Sequence, residues 1–259
     1  MINELHTPAL EIVWSQAPWD QDACGFPVLQ IDRIKVSGKC AYSDMKVFEN
    51  ERDAIGADLV SCRLQHDCLS ESMFLEEHDF RFIEMMYLPE LNLLNYKTDN
   101  KGASLIVKRA SNADLPGLLD VAQDLFKYER FKMDHRLDPN ISDRRFQNWI
   151  ASSLHHTTQE LYIISEGVRV VSFFICELLD DGTCYWHLNA ILPDAQGQGF
   201  GKRVWLNMLN HAASVGAKRV RSSIAARNHR VLNLYSRLGF VFQPPLMTFH
   251  WIRSHSQSE

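Results

Sequence analysis

A chain of 259 residues with 46% hydrophobic and 23% charged side chains has the composition of a globular protein, long enough for one large domain or two small ones. Its formal charge of −5, with acids and bases interleaved along the chain, argues against a nucleic-acid partner. No stretch approaches the ~20 apolar residues of a membrane-spanning helix and no basic-then-apolar leader opens the chain, so no membrane partner and a cytoplasmic location are expected.

The first third reads as short strands and helices. Phe26 to Val36 has strand character, Asp44 to Ala54 is helix-compatible, and Asp58 to Leu64 is a strand. Glu71 to Glu77 then reads as a helix and Phe80 to Leu88 as a strand. The polar run Asn95 to Gly102 breaks the pattern, which places a domain boundary there: 1–98, 99–252, and a tail over 253–259.

From Ala103 the pattern restarts. A strand at Leu105 to Val107 leads to a helix start at Ser111-Asn112-Ala113-Asp114, with Pro116 in the first turn and helical periodicity to Phe126. Tyr128 to Asn140 is dense in charge and aromatics without a repeat. Asp143 to Leu154 is a second helix, and Leu161 to Ser165 and Val168 to Leu178 are strands around Glu166-Gly167. Tyr185 to Leu192 is a strand, Arg203 to Val215 a helix stopped by Gly216, and Lys218 to Ala225 a strand. A helix over Val231 to Leu238 and the strands Phe240 to Phe242 and Met247 to Ile252 finish the pattern. Unpaired, that final strand is a surface through which a homodimer could form.

Six cysteines lie apart with no C-x-x-C pair and no Cys/His ligand spacing, so neither a disulfide framework nor a metal site is expected.

The two ends of the chain resemble each other at a constant offset of 160 residues. Gly56-Ala57-Asp58-Leu59-Val60 falls on Gly216-Ala217-Lys218-Arg219-Val220, and Phe80-Arg81-Phe82 on Phe240-Val241-Phe242. The offset puts Val36 to Tyr42 against the glycine-rich stretch described next, Cys68 against Asn228 and Leu75 against Tyr235. The first third therefore reads as a partial copy that lacks the polar groups of the second.

Gln196-Gly197-Gln198-Gly199-Phe200-Gly201-Lys202 lies between a strand and a helix. Glycines at alternate positions let backbone pass close to a bulky ligand, and the new helix aims its first N–H groups at one point, which makes an anion site. No Gly-Lys-Ser/Thr ends the stretch and no G-x-G-x-x-G is present, so neither nucleotide fingerprint applies.

With its flanking strand, Ile191 to Gly201 resembles the acyl-CoA motif of the GCN5-related N-acetyltransferases, and Asn228 to Phe240 is similar to that family's N-x-x-A-x-x-L-Y-x-x-x-G-F, with Val231 in place of the alanine. The resemblance implies an α/β (α+β) GNAT fold, a central mixed and mostly antiparallel sheet flanked by helices, preceded by a partial GNAT-like N-terminal domain. It implies acetyl-CoA as co-substrate, held by Asn189, Ala190, Ile191, Gln196, Gly197, Gln198, Gly199, Phe200, Gly201, Lys202, Asn228 and Tyr235. It also implies that Tyr235 is the general acid for the departing thiolate; the alternative is a tyrosine packed beneath its helix.

The base is read from alternation: Tyr185, His187 and Asn189 share a face of their strand, so His187 could take the ammonium proton. A core histidine is the alternative, and Glu177 competes for the role. Tyr128, Arg130 and Phe131 are the acceptor-side residues implied by likeness to family members that acetylate a nucleotide-linked amino sugar. Against this stand a peptide, polyamine or antibiotic amine as acceptor, and a non-catalytic acyl-CoA-binding module.

Overall fold

In a computed structural model, residues 2–38, 40–97, 105–123 and 125–254 are described. In chain order the first elements are β1 (Ile2–His6), β2 (Leu10–Gln16), α1 (Pro18–Cys24), β3 (Val28–Val36), α2 (Ala41–Ile55), β4 (Leu59–Gln65), α3 (Leu69–Glu77) and β5 (Arg81–Asn92). There follow β6 (Leu105–Arg109), α4 (Leu115–Ala122), α5 (Arg130–Met133), α6 (Asn140–Ser153), β7 (Gln159–Glu166), β8 (Arg169–Leu178) and β9 (Thr183–Ile191). The last are α7 (Phe200–Ser214), β10 (Arg219–Ser222), β11 (Ile224–Ala225), α8 (His229–Arg237) and β12 (Val241–Ile252). The expected mixed α/β architecture is present; β1, β2 and α1 add to it what periodicity did not single out.

The chain divides into two compact units. Unit 1 comprises Met1–Met86, Glu129–Arg145 and Pro244–Glu259, and unit 2 comprises Tyr87–Tyr128 and Phe146–Gln243. This corrects the boundary at 98/99, because two later segments complete the first unit. Phe131 and Ile141 join Ala17, Ala23, Val28 and Leu59 in one core cluster, and Leu246–Ile252 forms a ladder with β4. The expected linker and tail lie partly outside the described residues, at 98–102 and 255–259.

In unit 1, β2 pairs with β1 and β3 antiparallel, β3 with β4 parallel, and β4 with β12 antiparallel. Leu10, Ile12, Trp14, Leu29, Ile31, Val60 and Cys62 point to one face, where Ala41, Met45 and Phe48 of α2 close over them. The spacing of four and three residues in α2 is that of a single helical stripe. Met247–Ile252, expected as an exposed strand for a second copy, is instead occupied along its length by β4. That pairing removes the basis for a dimer through this strand.

In unit 2 the end of β5 pairs with β10, and the order continues β9, β8, β7, β6. Both faces of this sheet are covered at its centre, so β7 and β8 carry continuous buried runs, Leu161–Ser165 and Val171–Cys176. Phe174 and Cys176 enter one core with Val204, Trp205, Met208 and Tyr235; Phe173 and Ile175 enter another with Leu118, Phe146 and Ile150.

The 160-residue offset reappears in the elements. α3 starts at 69 and α8 at 229; β5 starts at 81 and β12 at 241. Gly56 and Gly216 both end a helix at positive φ, 71° and 85°. Two parallel pairings match as well: Val28–Ile31 face Leu59–Cys62, and Thr183–Trp186 face Arg219–Ser222. At the counterparts of Asn228 and Tyr235, unit 1 holds Cys68 and the buried Leu75.

Candidate active site

The glycine-rich stretch of unit 2 forms an open turn. After a 3-10 turn at Pro193–Ala195, Gly197 and Gly199 adopt φ of 78° and 80°, and Gly199 is the N-cap of α7 without a side-chain cap hydrogen bond. L-residues with a Cβ are disfavoured there, which accounts for both glycines. A Cβ at either would meet nothing within 4 Å, so the turn faces open space, and Gln196–Gly199 are all exposed. The uncapped first-turn N–H groups of a 15-residue helix give this space a positive potential. An acyl-CoA diphosphate fits that donor set.

A cation that sequence reasoning missed lies at the same turn. Arg169, the first residue of β8, donates from Nη2 to the Asp194 carbonyl (2.5 Å) and from Nη1 to Gln198 Oε1 (3.2 Å). Lys202 is exposed, and Arg203 pairs with Glu166 at 2.6 Å. Arg169 belongs to a hairpin far from the motif in sequence, so spacing within the motif could not reveal it.

Beside the turn, two parallel strands part. β9 and β10 pair from Thr183/Arg219 to Trp186/Ser222, and no pairing with β10 continues along His187–Ile191. β8 holds the other edge of this stretch. Asn189, Ala190 and Ile191, the expected contacts for the cofactor arm, therefore border an opening whose backbone groups can receive an extended chain.

Tyr235 stands at the root of this opening. Its side chain is fully buried, with ring centroids 4.6 Å from Phe240 and 6.1 Å from Trp205. Its hydroxyl has no hydrogen bond of good geometry among the described residues. Burial pushes the phenol up to about 12, against the opposing influence of Ser222, Trp205 and Asn189. Ser222 is the last residue of β10 to face β9, and Asn189 lies just past the parting, so the hydroxyl is placed where the strands separate.

His187 is less simply placed. Ile175 pairs with Leu188 and Cys176 with Trp186, which leaves His187 as the extra residue of a β-bulge. The bulge overturns the expected alternation. Trp186 and Asn189, opposite Cys176 and Phe174, face the core that contains Tyr235, whereas Leu188 faces the other core. His187 lies with Tyr185 (4.8 Å) and Trp149 (6.0 Å), ring centroid to ring centroid, and not on the face of Asn189.

Its Nε2 is 2.7 Å from Glu177 Oε2, both side chains being about four-fifths buried. The two candidate bases thus form one pair. Burial lowers His187 below its ordinary 6.5, with Glu177 pulling the other way.

Asn228 is the N-cap of α8, its Oδ1 accepting from the Val231 N–H at 3.3 Å. The departure at Val231 is harmless to this cap because only the backbone takes part. Leu234 lies under the turn: a Cβ on Gly201 would meet its Cδ2 at 3.6 Å, which ties α8 to the first turn of α7.

The expected acceptor-side trio separates. Tyr128 is exposed and belongs to unit 2, while Arg130 and Phe131 belong to unit 1. Phe131 is fully buried in the core cluster with Val28 and Leu59, so it cannot line an acceptor surface. Arg130 is only 4% exposed and paired with Asp20. Dense aromatics and charge without a repeat assigned no element there; in the structure Arg130 and Phe131 are the buried residues of the four-residue helix α5.

Residues 120–240 match the model of the acetyltransferase (GNAT) family. A curated relative, the spore coat polysaccharide biosynthesis protein SpsD of Bacillus subtilis, is 21% identical over 137 residues, 53% of this chain and 47% of that protein. The alignment thus spans about half the length of the relative. Two solved structures share the fold over nearly the whole chain. A conserved protein of unknown function from Staphylococcus epidermidis has a TM-score of 0.66 at 13% identity, covering 97% of this chain and 94% of that one. A GCN5-related N-acetyltransferase from Sphaerobacter thermophilus has a TM-score of 0.65 at 11% identity, covering 95% and 81%.

Proposed function

We propose, from the match of residues 120–240 to the acetyltransferase (GNAT) family, that this chain is an N-acetyltransferase and that it acetylates the primary amine of an amino sugar carried on a nucleotide. Acetyl-CoA supplies the acetyl thioester. The open turn at Gly197 and Gly199, with the first-turn N–H groups of α7, holds the diphosphate, and Arg169, Lys202 and Arg203 supply positive charge nearby. The backbone of Asn189–Ile191 orients the pantetheine arm and the carbonyl.

The acceptor amine must be neutral to attack, and His187, paired with Glu177, is the base that takes its proton, through water across the bulge. As the C–N bond forms and the C–S bond breaks, the Tyr235 hydroxyl gives its proton to sulfur. A thiol titrates near ~8.5, so a phenol within reach can supply that proton as charge develops.

The single observation that carries this reading is the buried, unsatisfied Tyr235 hydroxyl at the parting of β9 and β10. An unmet buried O–H costs on the order of 1–3 kcal/mol, which a merely structural phenylalanine would avoid. The relative named for spore coat polysaccharide biosynthesis supports a sugar acceptor. Unit 1 is then a diverged, non-catalytic copy, with Leu75 where the acid would stand.

Thiol release from acetyl-CoA against a panel of nucleotide-linked amino sugars, free amino sugars, peptides, polyamines and aminoglycosides tests this. Release with the nucleotide-linked sugar supports the acceptor, and release only with another amine replaces it. Tight acetyl-CoA binding without release for any amine would make the chain a binding module.

A further inference from the structure

Unit 1 places polar groups on a sheet face where a core is usual. Across β2, β3, β4 and β12, residues Ser15, Gln30, Ser61 and His250 lie in register on one face, with Arg63 and Thr248 in the next row. The opposite face is the apolar core of Trp14, Ile31, Cys62 and Phe249. The polar face is covered: Ser61, Thr248 and His250 are at most 2% exposed. Their Oγ, Oγ1 and Nε2 atoms have no hydrogen-bond partner among the described residues.

A pocket of about 260 Å³ opens on this side of the unit. Gln30 and Arg63 from the sheet, Trp19 and Asp20 from α1, and Arg130 and Arg145 line it. Asp20 is almost wholly buried and accepts from both Arg130 Nη2 and Arg145 Nε, the latter at 2.7 Å. Arg130, 4% exposed, keeps its Nε without a hydrogen bond; Glu129 Oε1, at 3.8 Å, is an ionic neighbour beyond hydrogen-bond reach.

Charge at the pocket wall is unbalanced, three guanidinium groups to one carboxylate. Glu129 and Glu84 stand near these arginines. Burial and the Glu129 carboxylate raise Glu84 to about 7, so it carries less than a full negative charge at neutral pH. Asp20, Glu129 and Glu84 stabilise the buried charge of Arg130, whose Nε nonetheless lacks the hydrogen bond that an added anion would supply. Trp19, 72% exposed at the same pocket, offers an apolar face to whatever carries the anion.

We propose that this pocket binds a phosphoryl or carboxylate group on a compact polar molecule of about sugar size, whose ring rests on Trp19. The oxyanion sits against Arg63 on the Arg130 side of the pocket, with Gln30 as a neutral donor. The volume is near the ~300 Å³ lower end of small-molecule sites, which suits one ring and one anionic group. The proposal rests on unit 1 alone and is separable from the acetyl-transfer reading.

The test is calorimetric titration of the full chain with glucose 1-phosphate, glucuronate and glucose, inorganic phosphate serving as competitor. One or both anionic sugars are expected to bind and glucose is not; which anion binds decides between phosphoryl and carboxylate. Arg63→Ala and Trp19→Ala, both at exposed side chains, are expected to weaken binding by about tenfold each with unchanged melting temperature and unchanged acetyl-CoA affinity. Arg130→Lys, which keeps the charge but loses the planar fork, is expected to weaken it as well. No binding of either anionic sugar at millimolar concentration overturns the proposal, as does binding that both surface variants leave intact.

Discussion

The imidazole of His187 and the carboxylate of Glu177 meet at 2.7 Å from adjacent strands, in a bulge that sets the histidine apart from its neighbours' alternation. Burial keeps His187 below 6.5 and Glu177 opposes that fall, so the ring is expected to be neutral at pH 7 and to lose its role on acidification. The kcat/KM profile should show an acidic limb below pH 6.5. Glu177→Gln should shift that limb to lower pH, and His187→Gln should abolish it with a loss of about 10²-fold or more. An unchanged profile in His187→Gln removes the residue from proton transfer.

Tyr235→Phe separates activity from stability. Removing a hydroxyl that is buried without a hydrogen bond should leave the melting temperature unchanged or raise it. Loss of the proton donor should lower kcat by about 10²–10⁴-fold while acetyl-CoA affinity holds. A fully active phenylalanine variant would assign the ring to packing.

Two glycines of the turn should respond with opposite signs. At Gly199, φ of 80° makes alanine strained by roughly 1–2 kcal/mol, and calorimetry should show weaker acetyl-CoA binding together with a melting point lower by a few degrees. Gly201 sits inside the helix at ordinary φ, and its added Cβ would meet Leu234 at an ordinary 3.6 Å. Gly201→Ala should therefore stabilise by roughly 0.5–1 kcal/mol. Equal effects from both would refute the conformational account.

His250 governs acid stability in unit 1. It is wholly buried, hydrogen-bonded to Asp134 at 3.0 Å, and burial pushes it down to about 4. In the unfolded chain it titrates near ~6.5. Between these values the unfolded state binds a proton that the folded state does not, so stability falls as the pH drops from 6.5 toward 4. Asp134 is itself buried, yet hydrogen bonds from His250 and Arg136 hold it well below the carboxylate range, and its loss comes at lower pH still. Melting curves across this window should slope less in His250→Gln than in the parent; equal slopes would place the effect elsewhere.

The glycine turn, the 160-residue offset and the helices α4, α6, α7 and α8 were legible because each has a local signature. Gly197 and Gly199 announce their φ, and α3 and α8 repeat at a constant interval. The bulge at His187 has none: one extra residue in a strand leaves apolar and polar positions individually acceptable, and only the pairing of β8 reveals the slip. The fate of Arg130 and Phe131 was hidden for a different reason. Their burial depends on Asp20, Val28 and Leu59, more than seventy positions earlier in the sequence, and no periodicity near Tyr128 encodes those partners. Arg169 escaped for the same cause, its role at the turn being set by a hairpin.

The bulge gives β9 two phases of one alternation. Up to Trp186 the strand keeps one assignment of inner and outer sides, and from Leu188 onward it keeps the reverse. Were the same residues to run as a regular strand without the bulge, those after His187 would keep their identities and exchange sides, turning Asn189 away from Tyr235. The extra residue, as much as composition, is what holds the amide and the phenol on the same side of the sheet.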